Sequence, residues 1–360
     1  MASLSRPGWR LLHVVFCSLM TVSIISVIGF IVTSQMTLKY NVKMPDINLF
    51  RYVVDTKKDE LSSSQLEGTS TITIETKNVT STTKSTIRRF QSQMDADDDD
   101  VASRLKKEVR VLCWIMTCPA NLKYKTVSVK RTWATRCNVV VYISSTTDTS
   151  FPTVGLNVSE GRDHLTEKSM QAFKYVYDKH FNDADWFLKA DDDTYVILEN
   201  LRYLLKSHSH EEPVYFGHHF RAQVKQGYHS GGAGYVLSKE ALRRLALKGN
   251  DTNLCHKSGL DEDVEIGRCM ENIGVKIGNS TDALGRTRFH CFYPSMHLSG
   301  LYPSWYSRYD THGGKKKGRE SISEHAISFH YITPTEMYYL DFLIYHILPY
   351  GISSVDKHLN

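Results

Sequence analysis

An apolar strand signature, Trp186-Phe187-Leu188-Lys189-Ala190, runs directly into Asp191-Asp192-Asp193. Three adjacent carboxylates repel one another unless a cation compensates, and Mg²⁺ and Mn²⁺ prefer carboxylate oxygens. A metal held there could grip a diphosphate and take up charge on a departing phosphate, which points to an enzyme acting on an activated nucleotide. Acidic runs are also common on solvated surfaces, and the chain carries its own comparison. Asp95, Asp97, Asp98, Asp99 and Asp100 sit in polar, Ser/Thr-rich sequence with no strand before them, and they read as a spacer. The strand in front of Asp191 favours the metal reading.

Other segments carry residues of the kinds such chemistry needs. Ser230-Gly231-Gly232-Ala233-Gly234 has side chains small enough for a ligand to approach the backbone, or is a tight turn before a strand. No Gly-Lys-Ser/Thr follows, so it is not a phosphate loop. Asp261-Glu262-Asp263 opens a helical pattern. Acids there serve as N-caps and favour the helix dipole, or supply the general base that a hydroxyl nucleophile requires. His330 stands alone in 326–332, which reads as an apolar strand, either as a satisfied core residue or as an imidazole ligand suited to Mn²⁺. Tyr302, Trp305, Tyr306 and Tyr309 offer aromatic faces for a sugar or for loop packing. The basic run 315–319 reads most simply as a solvated loop.

The elements that must position these residues alternate. Residues 109–117, 139–144, 186–191 and 214–217 read as strands, 127–135 as helical, and 165–180 as an amphipathic helix with Met170, Phe173, Val176 and Tyr177 on one stripe. A helix through Val196, Leu201 and Leu204 follows the aspartates, and another covers 239–247. This succession predicts an α/β fold with a largely parallel sheet, whose ligands gather beyond the carboxyl ends of the strands.

The rest of the chain bounds its setting. A net charge of +5 over 360 residues, with no clustered basic face, argues against nucleic acid as a partner. Residues 1–10 read as a cytoplasmic tail and 11–32 as an uncleaved transmembrane anchor, with Arg6 and Arg10 on its cytoplasmic flank. A cleaved signal peptide is the competing reading, disfavoured by the length of the apolar run. Residues 33–104 read as a flexible stem and 105–360 as the lumenal catalytic domain. Asn78, Asn157, Asn250 and Asn279 begin N-glycosylation triplets. Outside the anchor lie Cys113, Cys118, Cys137, Cys255, Cys269 and Cys291, an even number that suits disulfides, with fifteen pairings open. No C-x-x-C pair supports zinc.

The run from Asp185 to Val196, the Gly231–Ser238 run, Glu262-Asp263-Val264 with Gly267, and Ser328-Phe329-His330-Tyr331 together resemble the core 1 β1,3-galactosyltransferases of glycosyltransferase family 31. Arg110–Thr117, Lys130–Trp133 and Glu160–Asp163 fit the same pattern, and the resemblance spans nearly all of 108–350. It implies a GT-A fold, a Rossmann-like mixed sheet flanked by helices, in a single-pass type II Golgi protein. It also implies a Mn²⁺-dependent, inverting transfer of galactose from UDP-galactose to the 3-hydroxyl of GalNAc on Ser or Thr of a glycoprotein. By the same resemblance, Asp191, Asp193 and His330 hold the metal, and Asp263, or Glu262 beside it, is the base. Asp191, Asp192, Arg131, Arg162, Lys168, Gly231, Gly232 and Ala233 face the donor, and Trp305 and Tyr306 the acceptor. It leaves a homodimer open.

The chain departs from the pattern in places. Adjacent cysteines expected before Ser328 are missing, while Cys118 and Cys291 stand where Gly and Pro are expected, which suggests that these two form a replacement disulfide. Ser307 occupies a position where a second Trp is expected. A different UDP-sugar or acceptor is therefore the alternative within the same class. A non-catalytic chaperone-like relative and a lumenal sugar-binding protein are the alternatives outside it.

Overall fold

β-branched and aromatic runs build a seven-stranded sheet in the order β10-β6-β9-β4-β1-β2-β3. The computed structural model describes residues 101–259, 261–311, 314–348 and 350. The strands are β1 (Val111–Met116), β2 (Val139–Ser144), β3 (Thr153–Gly155), β4 (Trp186–Asp191), β6 (Val214–Gly217), β9 (Tyr235–Ser238) and β10 (Lys276–Ile277). All run in one direction except β9, which pairs antiparallel with both β4 and β6. The sheet is thus largely parallel with one reversed strand.

β1 is buried along its whole length, because helices cover both faces of the sheet and leave no polar side. Leu112, Trp114 and Phe187 pack against the helices Leu165–His180, Lys239–Lys248 and Glu262–Asn272 through Phe173, Leu242 and Ile266. Cys113, Ile115, Trp186 and Leu188 face Val129 of the helix Val127–Arg131 and Leu201 of the helix Leu198–Leu205. A smaller sheet on that side has the order β11-β12-β5, from Phe289–His290, Ser328–Phe329 and Tyr195–Val196. A third pairs β7 (His219–Phe220) with β8 (Tyr228–His229).

Several expectations change. Val196 belongs to β5, and the helix begins at Leu198, because β5 pairs with β12 from far along the chain. Only Ser328–Phe329 of the run 326–332 is strand, and His330 lies just past its end. Residues 101–108 are helical, so ordered structure takes in the last four residues assigned to the stem. The tail, the anchor, the rest of the stem and Asn78 lie outside the described residues. Among the described residues no helix is long and apolar enough to cross a membrane.

Cys113 bonds Cys137, and Cys255 bonds Cys269. The expected bond between Cys118 and Cys291 does not form. Both line the same cleft, Cys118 half-buried just after β1 and Cys291 buried at the end of Phe289–His290, and each keeps a free thiol. Asn157, Asn250 and Asn279 are exposed, as glycan acceptors must be.

Candidate active site

The strand register brings Met116, at the end of β1, beside Asp191, at the end of β4. Because β9 runs the other way, the turn at 231–234 that leads into it reaches the same edge. A cavity of about 730 Å³ opens there, a size suited to a nucleotide-sized ligand.

Asp191, Asp193 and His330 converge on one side of it, each offering a ligand atom within 4.8 Å of the others. The Ile332 amide donates to the Asp193 carbonyl at 2.9 Å, which docks the end of β12 against the aspartates. His330 Nε2 lies 3.3 Å from Asp193 Oδ1. Two carboxylates and one imidazole form a donor set that fits Mn²⁺, with room for further oxygen ligands. Tyr331, next to His330, has φ +58, a left-handed conformation that non-glycine residues adopt rarely.

Two ammonium groups offset the aspartates' charge. Lys125 Nζ lies 3.1 Å from Asp193 Oδ2 and 3.8 Å from Asp192 Oδ1, and Lys189 Nζ lies 2.7 Å from Asp191 Oδ1. Burial alone would raise Asp193, yet His330 and Lys125 hold it down to about 2. Asp192 behaves oppositely. It is buried, accepts hydrogen bonds from Thr117 Oγ1 and Asn121 Nδ2, both at 2.8 Å, and burial pushes it up to about 6. Its Oδ2 is therefore engaged with the end of β1 and the turn after it.

On the other side stand Glu262 and Asp263. Glu262 is buried, and its Oε1 accepts from Ser169 Oγ at 2.6 Å and Tyr235 Oη at 2.8 Å, while Oε2 is 4.0 Å from Lys189 Nζ. Asp263 is half-buried. Its Oδ2 accepts from the Gly231 amide at 3.0 Å and its Oδ1 from its neighbour Val264's amide at 2.9 Å. Burial and the adjacent Glu262 carboxylate push it up to about 6. Both amide contacts leave lone pairs on Asp263 for a substrate hydroxyl, whereas Glu262 is tied into the protein.

Lys189 joins the two sides. Its ammonium is buried and reaches Asp191, the Gly231 carbonyl at 3.0 Å and Glu262. Burial favours its neutral form, but Asp191 and Glu262 outweigh that and raise it above its ordinary value.

The remaining expected site residues divide. Arg162, Gly231, Gly232 and Trp305 line the cavity. Lys168 lines it too, but its ammonium is held by the Thr117 carbonyl at 2.7 Å and both Glu160 oxygens at 2.8 Å, which makes it a brace beneath the cavity. Arg131 is exposed at the end of its helix and is not part of the lining, because that helix presents its buried face to the core away from the cleft. Ala233 is fully buried behind the turn. Tyr306 is buried with its hydroxyl 3.4 Å from His218 Nε2, so it supports the aromatic wall from behind. In front of it, Phe292 lies 5.8 Å from Trp305 and 6.1 Å from Tyr331 between ring centroids.

Sequence reading missed Lys125, Lys189, Asn121, Glu160 and Phe292. Only Lys189 carried a local signal, a lysine in an otherwise apolar strand, which is rarely buried without a partner.

A sheet edge with an Asp–Asp–His cluster facing a raised carboxylate is a site able to do metal-assisted group transfer, and comparison with known proteins gives the family. A profile of the Fringe-like family matches residues 106–290, and the chain belongs to that family. It is a homologue of glycoprotein-N-acetylgalactosamine 3-beta-galactosyltransferase 1 of Xenopus laevis, 47% identical over 259 residues, which is 71% of each chain. A beta-1,3-glucosyltransferase of Mus musculus is 29% identical over 180 residues, 49% of this chain and 36% of that one. A crystal structure of a glycosyltransferase involved in glycosylation of the major capsid of PBCV-1 aligns with 65% of this chain and all of that one, at 12% identity and a TM-score of 0.35, too slight a likeness to bear on the fold.

Proposed function

We propose that this protein transfers galactose from UDP-galactose to the 3-hydroxyl of GalNAc on glycoproteins, with inversion, from a GT-A catalytic domain held in the Golgi lumen by an N-terminal anchor. The observation that carries the reading is the pairing of two unlike sites across one turn: the Asp191, Asp193 and His330 donor set, and Asp263 raised to about 6 beside Gly231. The activity for which the Xenopus relative is named supplies the sugars.

Asp191, Asp193 and His330 would hold Mn²⁺, which when bound draws charge from the diphosphate leaving group. The protein's own part is positional and basic. Asp263 accepts the proton from the acceptor hydroxyl as the sugar is attacked from the face opposite the diphosphate, and inversion needs only that one base. Gly231 and Gly232 let the donor sugar lie close to the backbone. Trp305 offers its half-exposed ring to the acceptor.

UDP release by the full-length protein tests the reading, with a panel of UDP-sugars, with and without Mn²⁺ and a GalNAc-bearing glycopeptide. Release that needs UDP-galactose, Mn²⁺ and the glycopeptide together is expected. Turnover with another UDP-sugar alone reassigns the donor, and no release with any sugar rejects transferase activity.

A further inference from the structure

Flanking its core-facing stripe, the helix Leu165–His180 presents a second row at helical spacing: Glu167, Met170, Gln171, Lys174, Tyr175 and Asp178. With the end of the helix Lys239–Lys248, this row walls a groove of about 340 Å³ that shares no residue with the catalytic cavity. Met170 and Tyr175 are only half-buried, so part of their apolar surface is left uncovered by protein. Gln171 Nε2 donates to Glu167 Oε1 at 3.2 Å, which leaves the Gln171 carbonyl oxygen open, and Lys257 stands exposed at the rim. An apolar floor with a few polar groups around it is the make-up of a small-molecule site.

The chain brings an attachment point to that floor. Where the helix Lys239–Lys248 ends, a Cβ on Gly249 would come within 2.6 Å of Met170 Cε, so a residue without one is needed for the approach. Asn250 comes next, exposed and itself lining the groove, and it opens the glycosylation triplet Asn250-Asp251-Thr252. The turn that carries it is held firmly. The Asp251 amide donates to the Lys248 carbonyl at 3.0 Å, the Asp251 carbonyl accepts from the Leu254 and Cys255 amides at 3.0 and 2.9 Å, and Cys255 is bonded to Cys269. Among the described residues nothing hydrogen-bonds the Asn250 side chain, whereas Asn279 Oδ1 accepts from the Thr281 amide at 3.0 Å and its hydroxyl at 2.8 Å.

We propose that this groove cradles the first N-acetylglucosamine of an N-linked glycan on Asn250, a reading that rests on the lumenal setting of the catalytic domain. In attachment, Asn250 Nδ2 bonds the anomeric carbon of that sugar. The bond from the same carbon to the lipid diphosphate of the oligosaccharide donor breaks, and the diphosphate leaves as the amide gives up one hydrogen as a proton. The C–H faces of the sugar cover Met170 and Tyr175, and its acetamide and hydroxyls meet Gln171, Lys174 and Lys257. The sugar then packs as part of the fold, tying the helix Leu165–His180 to the turn at 249–255.

The full-length protein, made in cells that keep glycans high-mannose and purified in detergent, tests this by glycopeptide mapping and thermal melts. Asn250 is expected to carry a glycan. Trimming with an endoglycosidase that leaves one N-acetylglucosamine is expected to leave the melting temperature unchanged. Thr252→Ala, which removes only this triplet, is expected to melt about 2–4 °C lower, while Ser159→Ala, which removes the triplet at Asn157, melts as the parent does. Tyr175→Ala probes the groove itself and should cost less in the Thr252→Ala background than alone. Gln171→Ala gives the same cycle should Tyr175→Ala not fold. An unoccupied Asn250 beside glycan at Asn157 or Asn279, a drop on trimming, equal melting of the two triplet variants, or additive effects in the cycle overturns the proposal. Glycan at none of the triplets overturns the lumenal setting as well. UDP release is assayed separately, so the transferase reading stands or falls on its own.

Discussion

Glu262 has Ser169, Tyr235 and Lys189 around its two oxygens, whereas Asp263, one residue on, meets only two backbone amides. The difference assigns their roles. Asp263→Asn keeps one of the two amide contacts through its carbonyl oxygen, gives up the other and cannot accept a proton, so turnover should fall by about 10²–10⁴-fold with glycopeptide affinity little changed. Glu262→Gln leaves the buried Lys189 ammonium with one fewer counter-charge. It should cost stability, on the order of 1–3 kcal/mol, as well as activity. Thermal melts and steady-state kinetics on both variants separate the two patterns. A base at about 6 must be ionised to work, so kcat/KM should drop as pH falls below about 6 and level off above it. An acid limb that persists unchanged in Asp263→Asn would assign the base elsewhere.

The turn at 231–234 and the end of β12 depend on each other. A Cβ on Gly232 would collide with the His330 ring, so this glycine is required by close approach and not by its backbone angles. Gly232→Ala should displace the imidazole and weaken Mn²⁺ binding by about 10–100-fold, measured by calorimetry, while circular dichroism stays unchanged. The sequence showed half of this arrangement. The helix Leu165–His180 was legible to the residue because its apolar stripe recurs at helical spacing, and β4 because an apolar run stops at charge. β5 was not legible, and of the strand expected over 326–332 only the two residues of β12 form. They have two residues each and exist only because they pair with one another across 134 positions of chain (329 − 195), Phe329 opposite Tyr195 in the register. Lys125 was invisible for a related reason, since nothing near it in sequence names Asp193, 68 residues away, as its partner.

Across the whole molecule, buried ionisable groups make stability depend on pH, and their signs differ. His229, His290 and His297 are held neutral in the fold, down to about 3, 3 and 2 from an ordinary 6.5. Below 6.5 the unfolded chain binds a proton at each and the fold does not, so their contribution is lost as pH falls. Asp192 and Asp263, raised to about 6 from 3.8, act the other way. The fold keeps a proton on each where the unfolded chain has released it, and that contribution is lost as pH rises through about 6. Between roughly pH 4.5 and 5.5 the unfolded chain therefore binds three protons that the fold lacks, and the fold binds two that the unfolded chain lacks. The net single proton gives these five groups a slope of about 1.4 kcal/mol of stability per pH unit, rising with pH, in metal-free protein. Asp263→Asn removes one of the fold's protons and should steepen the slope to about 2.7 kcal/mol per pH unit. Urea unfolding across that window measures both. Parallel lines for the two proteins would mean that Asp263 is ionised in the fold there, and the same result would remove the ground for an acid limb near 6.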